Sequence, residues 1–140
     1  MPITVQDIYK QKLEIASHPF QPKEAYNRLL ISRGYYASFL YARSLFDRNS
    51  TNQINLITHK PNGEPYSSHE KYYESLIRSG NENLMRIGKE LKKYHVLRKQ
   101  SDYKLTHHIR DYELMYAEQY FNECKARISF FLKNGPVPYP

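Results

Sequence analysis

Lys23-Glu-Ala-Tyr-Asn-Arg-Leu-Leu-Ile-Ser-Arg-Gly-Tyr-Tyr-Ala-Ser-Phe-Leu-Tyr-Ala-Arg-Ser-Leu-Phe46 is the stretch whose periodicity decides the fold. It follows Pro22 and is predicted to run as one helix to about Arg48. Two apolar stripes share it. One passes through Ala25, Leu29, Tyr36, Phe39 and Phe46, the other through Tyr26, Leu30, Ala37, Leu40, Tyr41 and Leu45. A helix that is apolar on most sides belongs at the centre of a bundle, because one stripe alone suffices for a surface helix. Arg33 and Gly34 fall in its middle, and a glycine there lowers helix propensity unless another backbone packs close by.

On its N-terminal side, Thr4 and Asp7 form a capping pattern ahead of Val5, Ile8, Tyr9, Leu13 and Ala16. The run His18-Pro19-Phe20-Gln21-Pro22 ends this first helix. On the other side, from Asn49 to Ser68, the helical period is lost. Ile54, Leu56 and Thr58 alternate and Lys60-Pro61-Asn62-Gly63-Glu64 carries turn chemistry, so a flap or short hairpin is expected over 49–68. Ser67 with Glu70 caps a third helix bearing Tyr73, Leu76 and Ile77, which Gly80 stops.

A fourth helix from about Asn81 carries Leu84, Ile87, Gly88 and Leu91 on a stripe that then turns polar at His95, Arg98 and Asp102. Thr106 is expected to cap the last helix, with Leu114, Ala117, Phe121, Cys124, Ile128 and Phe131 inward and Asn134-Gly135-Pro136 at its end. The expectation is one all-α domain over 1–140. It is an up-and-down bundle of four to five helices, with a long loop or small hairpin between the second and third and a tail at 136–140.

The chain has 140 residues, 40% hydrophobic and 25% charged, the profile of a folded domain and not of a disordered one. It contains no long apolar run and no secretory pattern at its start, so a cytoplasmic protein without membrane partners is expected. The lone Cys124 fits that compartment and sits on an apolar stripe, where an inert thiol is expected. The formal charge is +7, and the window from Arg86 to Arg110 holds eight basic residues against Glu90 and Asp102, a local +6. Lys92, Lys93, Lys99, Lys104 and Arg110, with Arg33 on the central helix, are the candidate contacts to nucleic-acid phosphates. A solvated basic face is the competing reading.

The six histidines show no His-x-x-x-His or Glu-x-x-His spacing, so neither a metal nor another cofactor is expected. Most of the 14 tyrosines, Tyr36 and Tyr120 among them, lie at core spacing. What remains is His95, Arg98, Asp102 and Tyr103. His95 and Arg98 share a face, and Asp102 one turn on can orient the guanidinium. Such a group is either a structural ion pair or a phosphate site in which Arg98 supplies the fork and His95 a proton acceptor.

Ser32-Arg33-Gly34-Tyr35-Tyr36-Ala37-Ser38-Phe39 with Ala42 and Leu45, then Ser68-His69, then Leu91 to Leu97 leading into Arg98-Lys99-Gln100-Ser101-Asp102-Tyr103, resembles the HEPN domain superfamily. Its small prokaryotic members carry an Arg-x-x-Tyr-Tyr-Ala-x-Phe helix and a later Arg-x-x-(Ala or Ser)-Asp-Tyr. The likeness covers roughly residues 26 to 133. It implies a four to five helix bundle, frequently a homodimer, with its polar site near the dimer axis. Members include toxins paired with a nucleotidyltransferase-type antitoxin and RNases of antiviral defence, and the active ones cut RNA without metal through Arg-x(4 to 6)-His.

Here the chain departs from that pattern. After Arg98 the corresponding positions hold Tyr103, Lys104 and Leu105, and the first histidine is His107. Two functions therefore stand open. One is an RNA- or nucleotide-engaging protein, possible as a metal-independent endoribonuclease with Arg98 as clamp, His95 or His107 as acid or base, Asp102 as orienter and Tyr103 as donor. The other is a non-catalytic module that binds a partner protein or itself.

Overall fold

Thr4 opens the first helix through a reciprocal cap, its hydroxyl accepting from the Asp7 N–H at 3.2 Å while its own N–H donates to the Asp7 carboxylate at 2.9 Å. From there the computed structural model describes residues 3–19, 22–47 and 54–140. They contain α1 (Val5–Ser17), α2 (Lys23–Arg43), a 3-10 turn (Ser44–Phe46), α3 (Glu70–Ile77), α4 (Glu82–Tyr103) and α5 (Asp111–Asn134). The all-helical bundle expected from the sequence is what forms, with five α-helices and no strand among the described residues.

The central position of α2 follows from its composition. It packs against α1, α4 and α5, and α4 packs in turn on α3 and α5. Its buried residues are Tyr26, Asn27, Ile31, Gly34, Tyr35, Ala37, Ser38, Phe39 and Ala42. That corrects the expected stripes, since Ala25 and Tyr36 are exposed and Leu29, Leu30, Leu40 and Tyr41 are only partly covered. Small residues, Gly34, Ser38 and Ala42, take the inner face instead, because they let the neighbouring helices approach. At Gly34 a Cβ would overlap the hydroxyl of Tyr94 on α4. At Gly88 a Cβ would lie 2.7 Å from the Tyr73 carbonyl oxygen, which sets how closely α3 and α4 pack.

The ends of the elements show what local chemistry adds. The α-helix stops at Arg43 and tightens into the 3-10 turn, and the expected end at Arg48 lies outside the described residues, as do Phe20, Gln21 and the first part of the flap. In the rest of the flap the Tyr66 N–H donates to the Thr58 carbonyl at 2.9 Å and the Lys60 N–H to that of Glu64 at 2.7 Å, around Gly63 at φ +90°. This is a hairpin-like turn with one bridge, His59 to Pro65, and it docks where the Ile57 N–H donates to Ser75 on α3 at 2.8 Å. Ser67 and Glu70 complete the predicted capping box, each bond 3.3 Å, and Gly80 takes the positive φ that ends α3.

Thr106 does not cap α5. The helix begins at Asp111, where the Glu113 carboxylate accepts from the Arg110 N–H at 3.1 Å. The late start has a cause on α2. Arg28 donates to the carbonyls of Gln100, Ser101, Lys104 and His107, and Glu24 accepts from the Ile109 N–H at 2.9 Å. These contacts satisfy the open carbonyls of the α4 terminus and hold 104–110 as a loop with Ile109 buried.

The Gly34–Tyr94 contact predicts a coupled pair of substitutions. Gly34→Ala lowers stability by about 1–3 kcal/mol through overpacking, despite alanine's better helix propensity. Tyr94→Phe removes the obstructing oxygen, so the double variant is more stable than the two single effects sum to, by more than about 0.5 kcal/mol in urea unfolding. Additive effects would sink the close-approach explanation.

Candidate functional site

The apolar stripe of α4 runs out at His95, and the elements around it turn that end into a cluster. Arg98 Nε lies 2.7 Å from Asp102 Oδ2, with both side chains about one quarter exposed (24% and 25%). Ser32 on α2 donates to the same carboxylate oxygen at 3.4 Å. The Arg98 guanidinium stands 6.0 Å from the centre of the Tyr35 ring and 5.7 Å from that of Tyr103, which is itself exposed. A partly exposed i,i+4 pair of this kind contributes only about 0.3–0.5 kcal/mol to stability. The fold therefore does not depend on it.

Beside this pair, two imidazoles meet from different parts of the chain. His69, at the residue before α3, stacks on His95 with ring centres 4.9 Å apart and planes within 12°. Tyr35 from α2 stacks on His95 at 5.2 Å, and its hydroxyl is 2.8 Å from His69 Nδ1. Phe39 packs on His69 at 4.2 Å, and Tyr73 contacts His95 at 5.7 Å. His95 is only 4% exposed. Among the described residues the side-chain polar atoms buried without a well-formed hydrogen bond are the hydroxyls of Tyr9 and Ser38, which lie near enough to each other to interact. No described residue is hydrogen-bonded to His69 Nε2 or to a ring nitrogen of His95.

The electrostatics keep both rings neutral. Burial, then His69, Lys99 and Arg98, depress His95 to about 4. Burial, then Arg98, Lys99 and Arg43, lower His69 from its ordinary value. Arg98 and Lys99 of α4 thus act on both neutral imidazoles, and Arg43 of α2 acts on His69. Such an arrangement accepts protons and attracts an anion, the chemistry of phosphate binding.

Of the predicted site residues, the structure brings together His95, Arg98, Asp102 and Tyr103, with Lys99 among the charges acting on the imidazoles. It does not bring His107 to them. His107 Nε2 lies 2.9 Å from the buried carboxylate of Glu113, which occupies that ring as part of the α5 start. The basic window also separates around α4. Lys92 pairs with Glu74 on α3 at 2.8 Å, Lys93 lines the α4–α5 cleft beside Tyr116 and Tyr120, Lys104 follows the end of α4, and Arg110 precedes α5. Arg33 lies with Arg43 along a cavity of about 870 Å³ that also borders Tyr36, Phe46 and Tyr72.

Sequence reasoning passed over His69 and Tyr35 as site residues. The available signal was their presence in the stretches Ser32 to Phe39 and Ser68-His69 that carry the family resemblance. Cys124 is fully buried and its thiol is pushed well above its ordinary range by burial, as an inert core thiol should be. Among the described residues no three His, Cys, Asp or Glu side chains come together to hold a metal, and no helix is long and apolar enough to cross a membrane. No protein-family model, curated protein or solved structure matches this chain.

The depressed imidazoles predict how stability responds to acid. Unfolded His95 takes a proton near 6.5 and folded His95 only near 4. Stability is therefore complete above about pH 6.5 and falls as pH drops toward 4, by on the order of 2–3 kcal/mol from this residue. Denaturant unfolding across that window should show a shallower slope for His95→Phe than for wild type. Equal slopes would mean that His95 is not held neutral.

Proposed function

We propose that the protein is of HEPN type and engages RNA or a nucleotide through the Arg98 site, in a toxin-antitoxin or defence setting. The observation that carries this reading is the convergence of His69 and Tyr35 from two other segments on His95, one helical turn from the partly exposed Arg98–Asp102 pair. A pair serving only to dock helices needs no imidazoles with open nitrogens beside it. The Arg-x-x-Ser-Asp-Tyr run of the resemblance lies in the same cluster.

In this reading Arg98, held in plane by Asp102, forks onto a phosphodiester, and Lys99 and Arg43 take neighbouring phosphates. If the bound strand is cut, the ribose 2′-hydroxyl gives its proton to a neutral imidazole and its oxygen forms a bond to phosphorus. The bond from phosphorus to the 5′ oxygen breaks as that oxygen takes a proton from solvent, leaving a cyclic phosphate and a 5′-hydroxyl. Arg98 would hold the charge that builds on the equatorial oxygens. Asp102 keeps its guanidinium turned toward them.

A second reading has its own observation. Tyr112, Met115 and Tyr116 leave an exposed apolar face on α5, close in sequence to the exposed Leu105. A face of this kind suits self-association or a partner protein, as in a homodimer or an antitoxin complex.

Incubating the protein with total RNA in chelator, and separately measuring its affinity for a short single-stranded RNA, tests the first reading. Arg98→Ala should weaken binding at least about tenfold while the helical signal is kept, because the lost interaction is charge-assisted and the ion pair adds little to the fold. Three phosphate contacts give a log–log salt slope of about −2. Salt-insensitive binding, or none, would leave the interaction module as the function.

A further inference from the structure

The Tyr35–His69 hydrogen bond fixes more than the position of a ring. The Tyr35 side chain is fully buried, and His69 Nδ1 is its one hydrogen-bond partner among the described residues. If Nδ1 carried the imidazole proton, it would donate to Tyr35 and the phenolic O–H would be left inside the protein with no acceptor. That arrangement costs about 1–3 kcal/mol. With the phenol donating to Nδ1, both atoms of that buried bond are satisfied, and the single proton of the neutral ring must sit on Nε2.

Nε2 is then a donor, not an acceptor. No described residue accepts from it, and it is not among the atoms buried without a partner. The charges that act on His69 are Arg98, Lys99 and Arg43, so the open N–H lies in a field that collects anions. A histidine whose role was only to pack against Phe39 and His95 would not need its tautomer set by a buried phenol.

We propose that His69, held as its Nε2–H tautomer by Tyr35, is a phosphate-binding residue that donates a neutral hydrogen bond to a phosphoryl oxygen of the ligand seated on Arg98. This rests on the reading of Arg98 as a phosphate site and adds a donor that comes from outside the Arg98 helix. It also separates the roles of the two stacked rings. His69 gives a hydrogen bond and His95 remains the group able to take a proton. A bound phosphate meets a charged fork on one side and a neutral donor on the other, and the ring contributes directional bonding without adding a fourth positive charge.

The test uses glutamine and asparagine as partial copies of the ring. His69→Gln places an amide N–H near the position of Nε2, whereas His69→Asn places its amide near Nδ1. With the labelled short single-stranded RNA as probe, His69→Gln should stay within about threefold of wild type and His69→Asn should weaken binding about tenfold, the loss of one hydrogen bond to a charged group. Both variants remove the same ring packing, so a purely structural role predicts similar losses for the two. Long-range ¹H–¹⁵N spectra of the free protein read the tautomer without any ligand. Wild type should show protonated Nε2, and Tyr35→Phe should shift the population toward the Nδ1–H form.

A wild-type ring protonated at Nδ1, or equal losses for Gln and Asn, would overturn the assignment of His69 while Arg98-dependent binding stood. RNA binding that ignores Arg98→Ala would overturn the phosphate site itself, and this inference with it.

Discussion

The structure depends on how closely α4 can approach α2. Gly34 leaves room for the Tyr94 hydroxyl, and the adjacent Tyr35 turns its ring against both Tyr94, at 5.6 Å, and His95, at 5.2 Å. One turn of α2 therefore contributes a core contact and a site contact at once. Because interiors are close-packed, a shift of α2 that relaxed the first would also displace the second. The imidazole pair inherits its geometry from the bundle core and not from a flexible loop. The close fit of α3 at Gly88 does the same for His69 from the other side, since α3 begins at the next residue.

A second constraint sits at the other end of the same helix. The last carbonyls of α4 have no intrahelical donors, and burying them unpaired would cost several kcal/mol. Arg28 answers several of them, Glu24 takes the Ile109 N–H, and Glu113 accepts from both Arg110 and His107. This network explains why the chain can leave α4 at Tyr103, cross to α5 in an ordered loop and keep Asp102 facing Ser32. It also explains why His107, the first histidine after Arg98 in the sequence, is occupied elsewhere. Glu113 is buried and needs a donor, and His107 is the side chain that supplies it.

The fold was legible because long amphipathic periods survive averaging. The inward positions of α4 and α5, the caps at Thr4 and Ser67, and the stops at Gly80 and Gly135 all follow from chemistry within four or five residues. The errors arose where distant residues decide. Hydrophobicity placed Tyr36 inside and passed over Ser38, and it marked Gly34 only as a place for a close approach, yet the inner face of α2 is set by who must fit against it, and small residues score poorly on any apolar stripe. Thr106 had the right chemistry for a cap but lost to the Arg28 and Glu24 contacts, which span more than 70 residues. At the site, the Arg98–Asp102 spacing could be read from one helix. His69 could not, because its meeting with His95 spans 26 positions of sequence and two helix packings. The +6 window illustrates the converse. Charges adjacent in sequence on a helix point around its whole circumference, so only Lys99 of the lysines singled out joins the cations acting on the imidazoles.

The charge distribution of the cluster then carries an argument about how it would work. A neutral imidazole depressed to about 4 is fully available as a proton acceptor near pH 7, but it is a weak one, since its conjugate acid is disfavoured by burial, by the adjacent His69 and by the Lys99 and Arg98 charges. An anion placed among Arg98, Lys99 and Arg43 offsets part of that positive field. Its arrival raises the proton affinity of His95 toward the range where proton transfer is efficient, so the binding step itself tunes the base. The same coupling runs in reverse, because a protonated His95 must strengthen anion binding by the factor through which the anion raises its proton affinity. Structural ion pairs buried between helices do not need this reciprocity. A site built from open imidazole nitrogens and partly exposed cations acquires it from electrostatics alone.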